Sequence, residues 1–409
     1  MAECTCLFDY FKGYKVHLIS KADEPAENLD EAIWVHLVPD GESPMICGNC
    51  GQPVEKVHEV YERWIADLPL FHFRTKLLVQ RRRLACPRCG PSIERLEWLD
   101  RYSRVTKRLA DAVGMACDIL PVKHVAAMFD LNWKTVKAID KRCLKSKNLG
   151  MNLDDVRVLA MDEFAIQKGH RYATVIIEPT TSRVLWVGRG RSRESIRPFF
   201  EQLTLEQRNR IEAVAMDMTA AYKLEVERYC PRAHVVYDLF HVIAKYGREV
   251  IDRVRVDEAN RLRDDKQARK LVKGSRWLLL RNRDNIKRES DISRLDDLLA
   301  ANQSLFTVYV LKDDLKQLWR SRSPLSALWQ WKQWAKRALE SGIAPLIKFV
   351  ERLKDYVPGI IAHAKYQLHT SVLEGINNTI KVIKRMAYGY RDDEYFFLKI
   401  MNAFPGIGR

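Results

Sequence analysis

The sequence predicts an α/β protein of several domains, α+β in overall arrangement, and three observations predict it. Two Cys-x-x-Cys pairs lie in the N-terminal quarter. A helical apolar period over residues 102–146 gives way, from residue 155, to short apolar strands separated by helices. A long stretch from about 248 to 360, rich in Arg, Lys, Glu and Leu and poor in glycine, then reads as helix. The 409 residues suit two or three domains. Hydrophobic residues at 47% and charged residues at 30% exclude intrinsic disorder. No apolar run approaches the ~18 residues of a membrane span, so no membrane partner is expected. Lys plus Arg at 69 against Asp plus Glu at 53 leave a net charge of +16, which points to a polyanion such as nucleic acid.

Residues 1–45 form an N-terminal extension whose segments Tyr14–Ile19 and Ala32–Val38 read as strands that pack on the next module. The opening Met1-Ala2-Glu3-Cys4 lacks a basic region followed by an apolar core, so export is not expected. Nine cysteines, an odd number, argue against a disulfide framework. In the module at 46–95, Cys47-Gly48-Asn49-Cys50 and Cys86-Pro87-Arg88-Cys89 are spaced as two zinc knuckles, each giving two thiolates to one tetrahedral, structural Zn²⁺. The loop between them has room for strands around Lys56–Trp64 and Lys76–Ala85, as in a zinc ribbon. His58 and His72 lie in that loop, but Cys47, Cys50, Cys86 and Cys89 already complete a site; Cys4, Cys6, Cys117, Cys143 and Cys230 read as packing residues or bystanders. A strand ending in Arg81, Arg82 and Arg83 is either a phosphate-contacting edge or a solvated charge run.

Residues 96–150 carry the next module. Val122, Val125, Ala126 and Phe129 follow a helix-starting Pro121 at one-face spacing, and Asp130-Leu131-Asn132 break the helix. A second helix puts Val136, Ile139 and Cys143 on one face and Lys134, Thr135, Lys137, Lys141 and Arg142 on the other. An apolar helix, a tight turn and a basic helix read as a helix-turn-helix, its second helix suited to the DNA major groove. An ordinary helical hairpin shows the same periodicity; the adjoining zinc module and the net charge favour the DNA-binding reading.

From residue 155, strands at Val156–Met161, Tyr172–Ile177 and Val184–Val187 follow one another with turns at Lys168-Gly169 and Pro179–Ser182. A helix capped by Ser192, a strand at Ile211–Met216, a helix capped by Thr219 and a strand at His234–Tyr237 complete the order βββαβαβ. That order is the ribonuclease H-like one, with its first and fourth strands adjacent. Asp162 and Asp217 each follow a Met at the end of such a strand and would face one another, a costly pairing unless divalent cations neutralise it. Glu163 points to the opposite face and is not chosen. A third carboxylate comes from a C-terminal helix, where Leu373, Ile376, Ile380 and Ile383 form an apolar stripe and Glu374, Asn378, Lys381 and Arg385 a polar one. A Glu followed by Asn, Lys and Arg on one face suits a metal ligand beside a DNA backbone. The catalytic domain would thus comprise 151–247 and 361–403, interrupted by a helical insertion at 248–360 whose Trp277, Trp319, Trp329, Trp331 and Trp334 read as core rather than as base-stacking platforms.

Several of these runs resemble the ISL-three family of bacterial insertion-sequence transposases. The resemblance is carried by Glu374-Gly375-Ile376-Asn377-Asn378 continuing to Ile383-Lys384-Arg385-Met386-Ala387-Tyr388-Gly389-Tyr390-Arg391. Met161-Asp162-Glu163, Tyr172-Ala173-Thr174, Gly188-Arg189-Gly190-Arg191, Ala215-Met216-Asp217-Met218 with Tyr222, Val236-Tyr237-Asp238-Leu239-Phe240-His241-Val242 and Arg82-Arg83-Leu84-Ala85-Cys86 carry it too, over roughly residues 45–400. It implies a DDE transposase with Asp162, Asp217 and Glu374 as its triad. Asp238 and His241 form a DxxH motif that related transposases share, either positioning a DNA strand or supplying a helix cap and a buried His. Many relatives carry Asn where this chain has Thr370, which bears on a helix-entry contact.

The expected function is DNA transposition. The zinc and helix-turn-helix modules would recognise terminal inverted repeats, and the triad would hold two Mg²⁺ (or Mn²⁺) ions for strand cleavage and strand transfer. The expected partners are double-stranded DNA, both element ends and target, and a second copy of the chain in a homodimer on DNA. The expected location is the bacterial cytoplasm, with the nucleoid. A catalytically inactive DNA-binding regulator and a structure-specific nuclease on the same fold are the alternatives.

Overall fold

The computed structural model describes residues 9–21, 32–148, 152–167, 169, 171–368 and 371–406. Cys4, Cys6, Lys168 and Thr370, to which the sequence reading assigned packing, turn or helix-entry roles, lie outside the described residues. The chain divides into two compact units: Met1–Leu149 with Arg385–Tyr390, and Gly150–Lys384 with Arg391–Arg409. No helix among the described residues is long and apolar enough to cross a membrane.

The first unit begins with strands β1 (Tyr14–Lys21), β2 (Ala32–Pro39), β3 (Val57–Leu70), β4 (Phe73–Cys86) and β5 (Gly90–Ile93). They form one sheet in the order β1-β2-β4-β3, with β5 against β4. The extension is therefore part of this sheet, its β2 pairing parallel to β4 from Ala32↔Arg74 to Leu37↔Val79. Alternation along β4 buries Leu77 and Val79 with Val35, Leu37, Ile65 and Trp98, the last closed by edge-to-face contacts with Phe11 and Tyr14. Each such large apolar side chain contributes roughly 1.5–3 kcal/mol on burial.

Arg81 and Arg82 depart from the expected phosphate-contacting edge. Both are buried, at 3% and 7% exposure, and only Arg83 of the run faces solvent. Glu94, itself buried, takes a forked ion pair from Arg82 and a hydrogen bond from the Tyr14 hydroxyl at 3.1 Å. Its backbone carbonyl accepts from Arg81 Nη2 at 3.1 Å. The Glu94 carboxylate thus satisfies Arg82, and its carbonyl takes one bond from Arg81, whose Nη1 stays buried without a partner.

Three helices follow: α1 (Lys107–Ile119), α2 (Val122–Met128) and α3 (Trp133–Asn148). Thr106 caps α1, accepting from the Leu109 amide and donating its hydroxyl to Asp67 on β3 at 2.6 Å. Val113, Val125, Val136 and Ile139 close the helical core, and α1 approaches α3 so closely that a Cβ on Gly114 would lie 3.2 Å from Cys143 Sγ. Asp130 makes the turn at φ 49, a conformation Asp tolerates, and the Asn132 side chain accepts from the Lys134 amide to start α3.

The second unit is built on β6 (Val158–Gln167), β7 (Arg171–Glu178), β8 (Arg183–Arg189), β9 (Ala213–Met216) and β10 (His234–Tyr237), in the order β10-β9-β6-β7-β8. The first three run antiparallel and the last two parallel, joined through α4 (Arg193–Gln202), a short α5 (Leu205–Arg210) that the pattern did not reveal, and α6 (Ala220–Tyr229). β6 outruns the expected strand, so Asp162 lies within it rather than at its end. The parallel pairing with β9 stops at Ala160, while the antiparallel pairing with β7 continues to Gln167. Asp162 therefore stands where β6 loses one neighbour, and Asp217 directly follows the end of β9.

After β10, α7 (Leu239–Tyr246) leads into the insertion: α8 (Asp252–Arg261), α9 (Lys266–Gly274), α10 (Arg276–Leu280), α11 (Glu289–Ala301), α12 (Gln303–Gln317), α13 (Pro324–Glu340), α14 (Ala344–Leu353) and α15 (Val357–Tyr366). α16 (Ser371–Met386) and α17 (Asp393–Ala403) complete the chain. Sheet and insertion share one apolar core, in which Tyr237 and Tyr246 meet Trp319, Trp331 and Trp334. Trp277 and Trp329 depart from the expected core role: they are 65% and 63% exposed. α15 lies directly on β10 at Gly359, where any Cβ would come within 2.6 Å of the Tyr237 ring.

Candidate active site

Strand ends and helix starts of the second unit converge on a cavity of about 1010 Å³. Asp162 enters it from β6, Asp217 from the end of β9, Asp238 and His241 from the start of α7, and Glu374 from the first turn of α16. Asn378 and Lys381 join Glu374 from the next turns, because residues three and four apart share a helix face. The insertion contributes Arg281, Asn282, Asn285 and Lys316 to the lining. Arg385 of the expected polar stripe does not line the cavity; it belongs with the first compact unit.

Hydrogen bonds fix the acidic side chains. Asp162 accepts from the Glu163 amide at 2.8 Å and from Asn377 Nδ2 at 2.7 Å. Burial pushes the Asp162 carboxyl above the usual carboxylate range, while the Glu163 amide, His241 and Asn377 pull the other way. Asp217 accepts from the Met218 amide, and His241 Nδ1 lies 3.5 Å from Asp217 Oδ1. His241 Nε2 is 3.9 Å from Asp238 Oδ2, so the imidazole lies between two carboxylates. Asp238 precedes α7 but makes no capping hydrogen bond, and His241 is a third exposed, so neither matches a cap with a buried histidine. Lys381 donates to Asn378 at 3.1 Å, a contact between two of the expected backbone-binding groups. Glu163 points away from Asp162 and pairs with Arg191 at 3.0 Å.

In the first unit the sulfurs of Cys47, Cys50, Cys86 and Cys89 all lie within 4.8 Å of one another, the single group of this kind among the described residues. His58 and His72 stand outside it. Glycines Gly51 and Gly90 follow the second Cys of each knuckle at φ 72 and 71, and a Cβ on Gly48 would collide with the Ile93 carbonyl oxygen. The separation of Cys50 and Cys86, 3.7 Å, suits two thiolates on one tetrahedral ion with metal–sulfur bonds of about 2.3 Å. The Cys47 thiol is lowered to about 6, chiefly by the Ser92 hydroxyl 3.3 Å away and then by backbone amides. Cys89 is pushed up to about 12 by the crowding of Cys50 and Cys86. Four sulfurs gathered this closely from two Cys-x-x-Cys pairs fit a tetrahedral zinc ligand set.

Comparison with known proteins decides the family. Residues 159–400 match the model of the ISL3 transposases of the DDE type, described as transposase. Residues 94–144 match the helix-turn-helix domain of transposase family ISL3, and 43–89 the zinc-finger of transposase IS204/IS1001/IS1096/IS1165. The chain belongs to the ISL3 family of transposases. It is 53% identical over 400 residues to the transposase for insertion sequence element IS1001 of Bordetella parapertussis, covering 98% of this chain and 97% of that protein. It is 23% identical over 348 residues to the transposase for insertion sequence element IS1557 of Mycobacterium tuberculosis, covering 79% and 77%.

The transposase thus carries a zinc-ribbon cysteine cluster, a helix-turn-helix DNA-binding domain and a DDE transposase domain in one chain. On α3, Lys134, Thr135 and Arg142 are exposed and Lys137 and Lys141 half-buried. Arg142 also reaches Asp100 at 3.2 Å. Sequence reasoning missed Asn377 and the insertion's Arg281, Asn282, Asn285 and Lys316. Asn377 could have been found from its place three residues after Glu374; the others carry no local signal, because only the tertiary fold brings the insertion over the carboxylates.

Proposed function

We propose that the transposase cleaves DNA at the ends of its insertion sequence and transfers the freed strands to target DNA, using Asp162, Asp217 and Glu374. The observation that carries this reading is that three carboxylates from β6, β9 and α16, far apart in sequence, line one cavity. The strand order, three antiparallel strands followed by two parallel ones, supports a ribonuclease H-like catalytic core. Hard carboxylate oxygens, with Asp162 half-buried and held by amide donors, suit two Mg²⁺ or Mn²⁺ ions. When bound, these would lower the pKa of water or of a 3′-hydroxyl and stabilise the leaving oxygen.

The chain's own groups prepare that chemistry. Asn377 and the Glu163 amide aim the Asp162 carboxylate into the cavity. His241 lies between Asp217 and Asp238, placed to donate to either when a strand is bound. Water attacks phosphorus, the bond to the 3′-oxygen breaks, and a 3′-hydroxyl and a 5′-phosphate result. That hydroxyl then attacks a target phosphodiester, and the target's own 3′-oxygen leaves with a proton. Each step exchanges one phosphorus–oxygen bond for another, so no covalent protein intermediate is needed. The exposed residues of α3 with Arg83 recognise the terminal repeats in double-stranded DNA, the cysteine cluster holds a structural Zn²⁺, and two copies act together so that both ends are handled at once. Such a protein works at the nucleoid.

The test is incubation with a duplex carrying the element's terminal repeat, Mg²⁺ and a target plasmid. Joined ends are expected. Cutting without joining would indicate a nuclease, and binding without cutting a regulator.

A further inference from the structure

We propose that the insertion carries a binding groove for an unpaired DNA strand, running from the catalytic cavity along residues 281–288. The proposal rests on the cleavage reading above and adds a ligand path to it. A second cavity of about 750 Å³, lined by Arg281, Asn285, Lys287, Arg288 and Asp291, adjoins the catalytic one, with which it shares Arg281 and Asn285. Arg281, Lys287 and Arg288 are exposed and pair with no carboxylate among the described residues. Arg283 of the same segment does find a partner, in Asp296. Three cations outnumber the single acidic residue of this lining, Asp291.

The segment is held firmly although its regular structure is a single 3-10 turn at Arg283–Asn285. Lys312 of α12, 1% exposed, donates to the Leu279 and Arg281 carbonyls at 3.0 and 2.8 Å. The Tyr309 hydroxyl adds a bond to the Arg281 carbonyl at 3.3 Å, Lys316 holds the Asn282 side chain, and Ile286 is buried. Burying an ammonium is unfavourable, and burial lowers this one to about 8. What the buried lysine secures is the backbone from which Arg281 enters both cavities. A preorganised row of unpaired cations is the electrostatic half of a strand-binding site.

The other half is Phe240. Its ring lines the catalytic cavity and is 71% exposed beside His241. An open aromatic face stacks on a base whose own face is free, and a paired, stacked duplex offers none there. An unpaired segment next to the scissile phosphate satisfies both features, with its base on Phe240 and its phosphates along 281–288.

The experiment uses the full-length Asp162→Asn protein, so that probes are bound without being cut. Two terminal-repeat probes are compared, one fully paired and one with unpaired flanking nucleotides at the cleavage junction. Tighter binding of the unpaired probe is expected. Adding Arg281→Ala, Lys287→Ala and Arg288→Ala together should abolish that preference. It should also flatten the salt dependence for the unpaired probe by about 2 in log–log slope, three contacts at ~0.7 each. Phe240→Ala should weaken the preference without changing the slope. Equal affinity for both probes, or a triple variant that keeps preference and slope, overturns the groove; so does an equal loss on both probes, which would mark a duplex contact. The cleavage reading fails separately, if the unmutated protein does not cut the paired probe in Mg²⁺.

Discussion

Glu94→Gln separates a structural from a DNA-contacting role for the arginine run on β4. The substitution keeps the shape of the side chain and removes its charge, leaving Arg82 buried without a counterion. If Arg82 projected into solvent, losing the pair would change stability by no more than ~1 kcal/mol. Buried as it is at 7% exposure and gripped by both Glu94 oxygens, it predicts a loss of about 3–5 kcal/mol. For a unit of this size that lowers its Tm by about 6–20 °C. The assay is thermal unfolding of the full-length protein, with hydrogen exchange of β4 amides to assign the transition to the first unit. Arg82→Met with Glu94→Leu removes both charges, and most of the stability should return, since an apolar pair replaces a buried ionic one. Arg83→Ala, on the exposed position, should leave Tm within about 1–2 °C and weaken DNA binding. An unchanged Tm in Glu94→Gln, with DNA affinity lost, would refute the buried-pair account and restore the phosphate edge.

Four further outcomes follow from the geometry. Lys312 titrates near 8 in the fold against 10.5 unfolded, so the unfolded chain binds more protons between these values and stability should rise with pH through that window. The rise should approach about 3 kcal/mol by denaturant titration and vanish in Lys312→Met; a flat profile in both proteins would contradict a buried ammonium. Removing zinc with a chelator, or Cys50→Ser, should unfold the first unit and abolish binding to terminal-repeat DNA, read by hydrogen exchange and gel shift, while β6–β10 stay protected; retained repeat binding would count against the cysteine cluster as a zinc site. Asn377→Ala removes a hydrogen bond to an ionised carboxylate, worth about 1.5–3 kcal/mol, so single-turnover cleavage should fall about 10- to 150-fold with repeat binding unchanged. His241→Ala should lower cleavage at unaltered DNA affinity, and a loss confined to affinity would reassign His241 to strand binding.

Much of the fold was legible because the signals were local. The two Cys-x-x-Cys pairs needed only their spacing, and Pro121 and Asp130–Asn132 marked the helix breaks that the structure has. The alternating strands and the Met-Asp repeats at residues 161–162 and 216–217 suffice to put two carboxylates on strands that pair, β6 and β9. What failed were judgements that depend on partners far away in sequence. Arg81 and Arg82 read as exposed because their run is charged, and nothing local announces that Glu94 folds back over them. Asp162 read as a strand end because the apolar run stops there, although antiparallel pairing with β7 carries the strand five residues further, to Gln167. Trp277 and Trp329 share helical settings with the buried Trp331 and Trp334, and periodicity alone does not tell which helix face meets the core. The insertion's contribution to the cavity was illegible for the same reason: Arg281 and Lys316 come to line the same cavity as Glu374 only through the packing of the second unit.

Strand transfer measured side by side in the unmutated protein and in Asp162→Asn, Asp217→Asn and Glu374→Gln bears on the catalytic centre itself. With terminal-repeat DNA, target plasmid and Mg²⁺, the unmutated protein should cut the element end and join its 3′-hydroxyl to the target. Each variant should bind the repeat with unchanged affinity and lose cleavage and joining by on the order of 10²-fold or more, as expected when several kcal/mol of metal-borne stabilisation is removed. A variant that cuts and joins at the unmutated rate would take that carboxylate out of the centre, and full activity in all three would contradict the account.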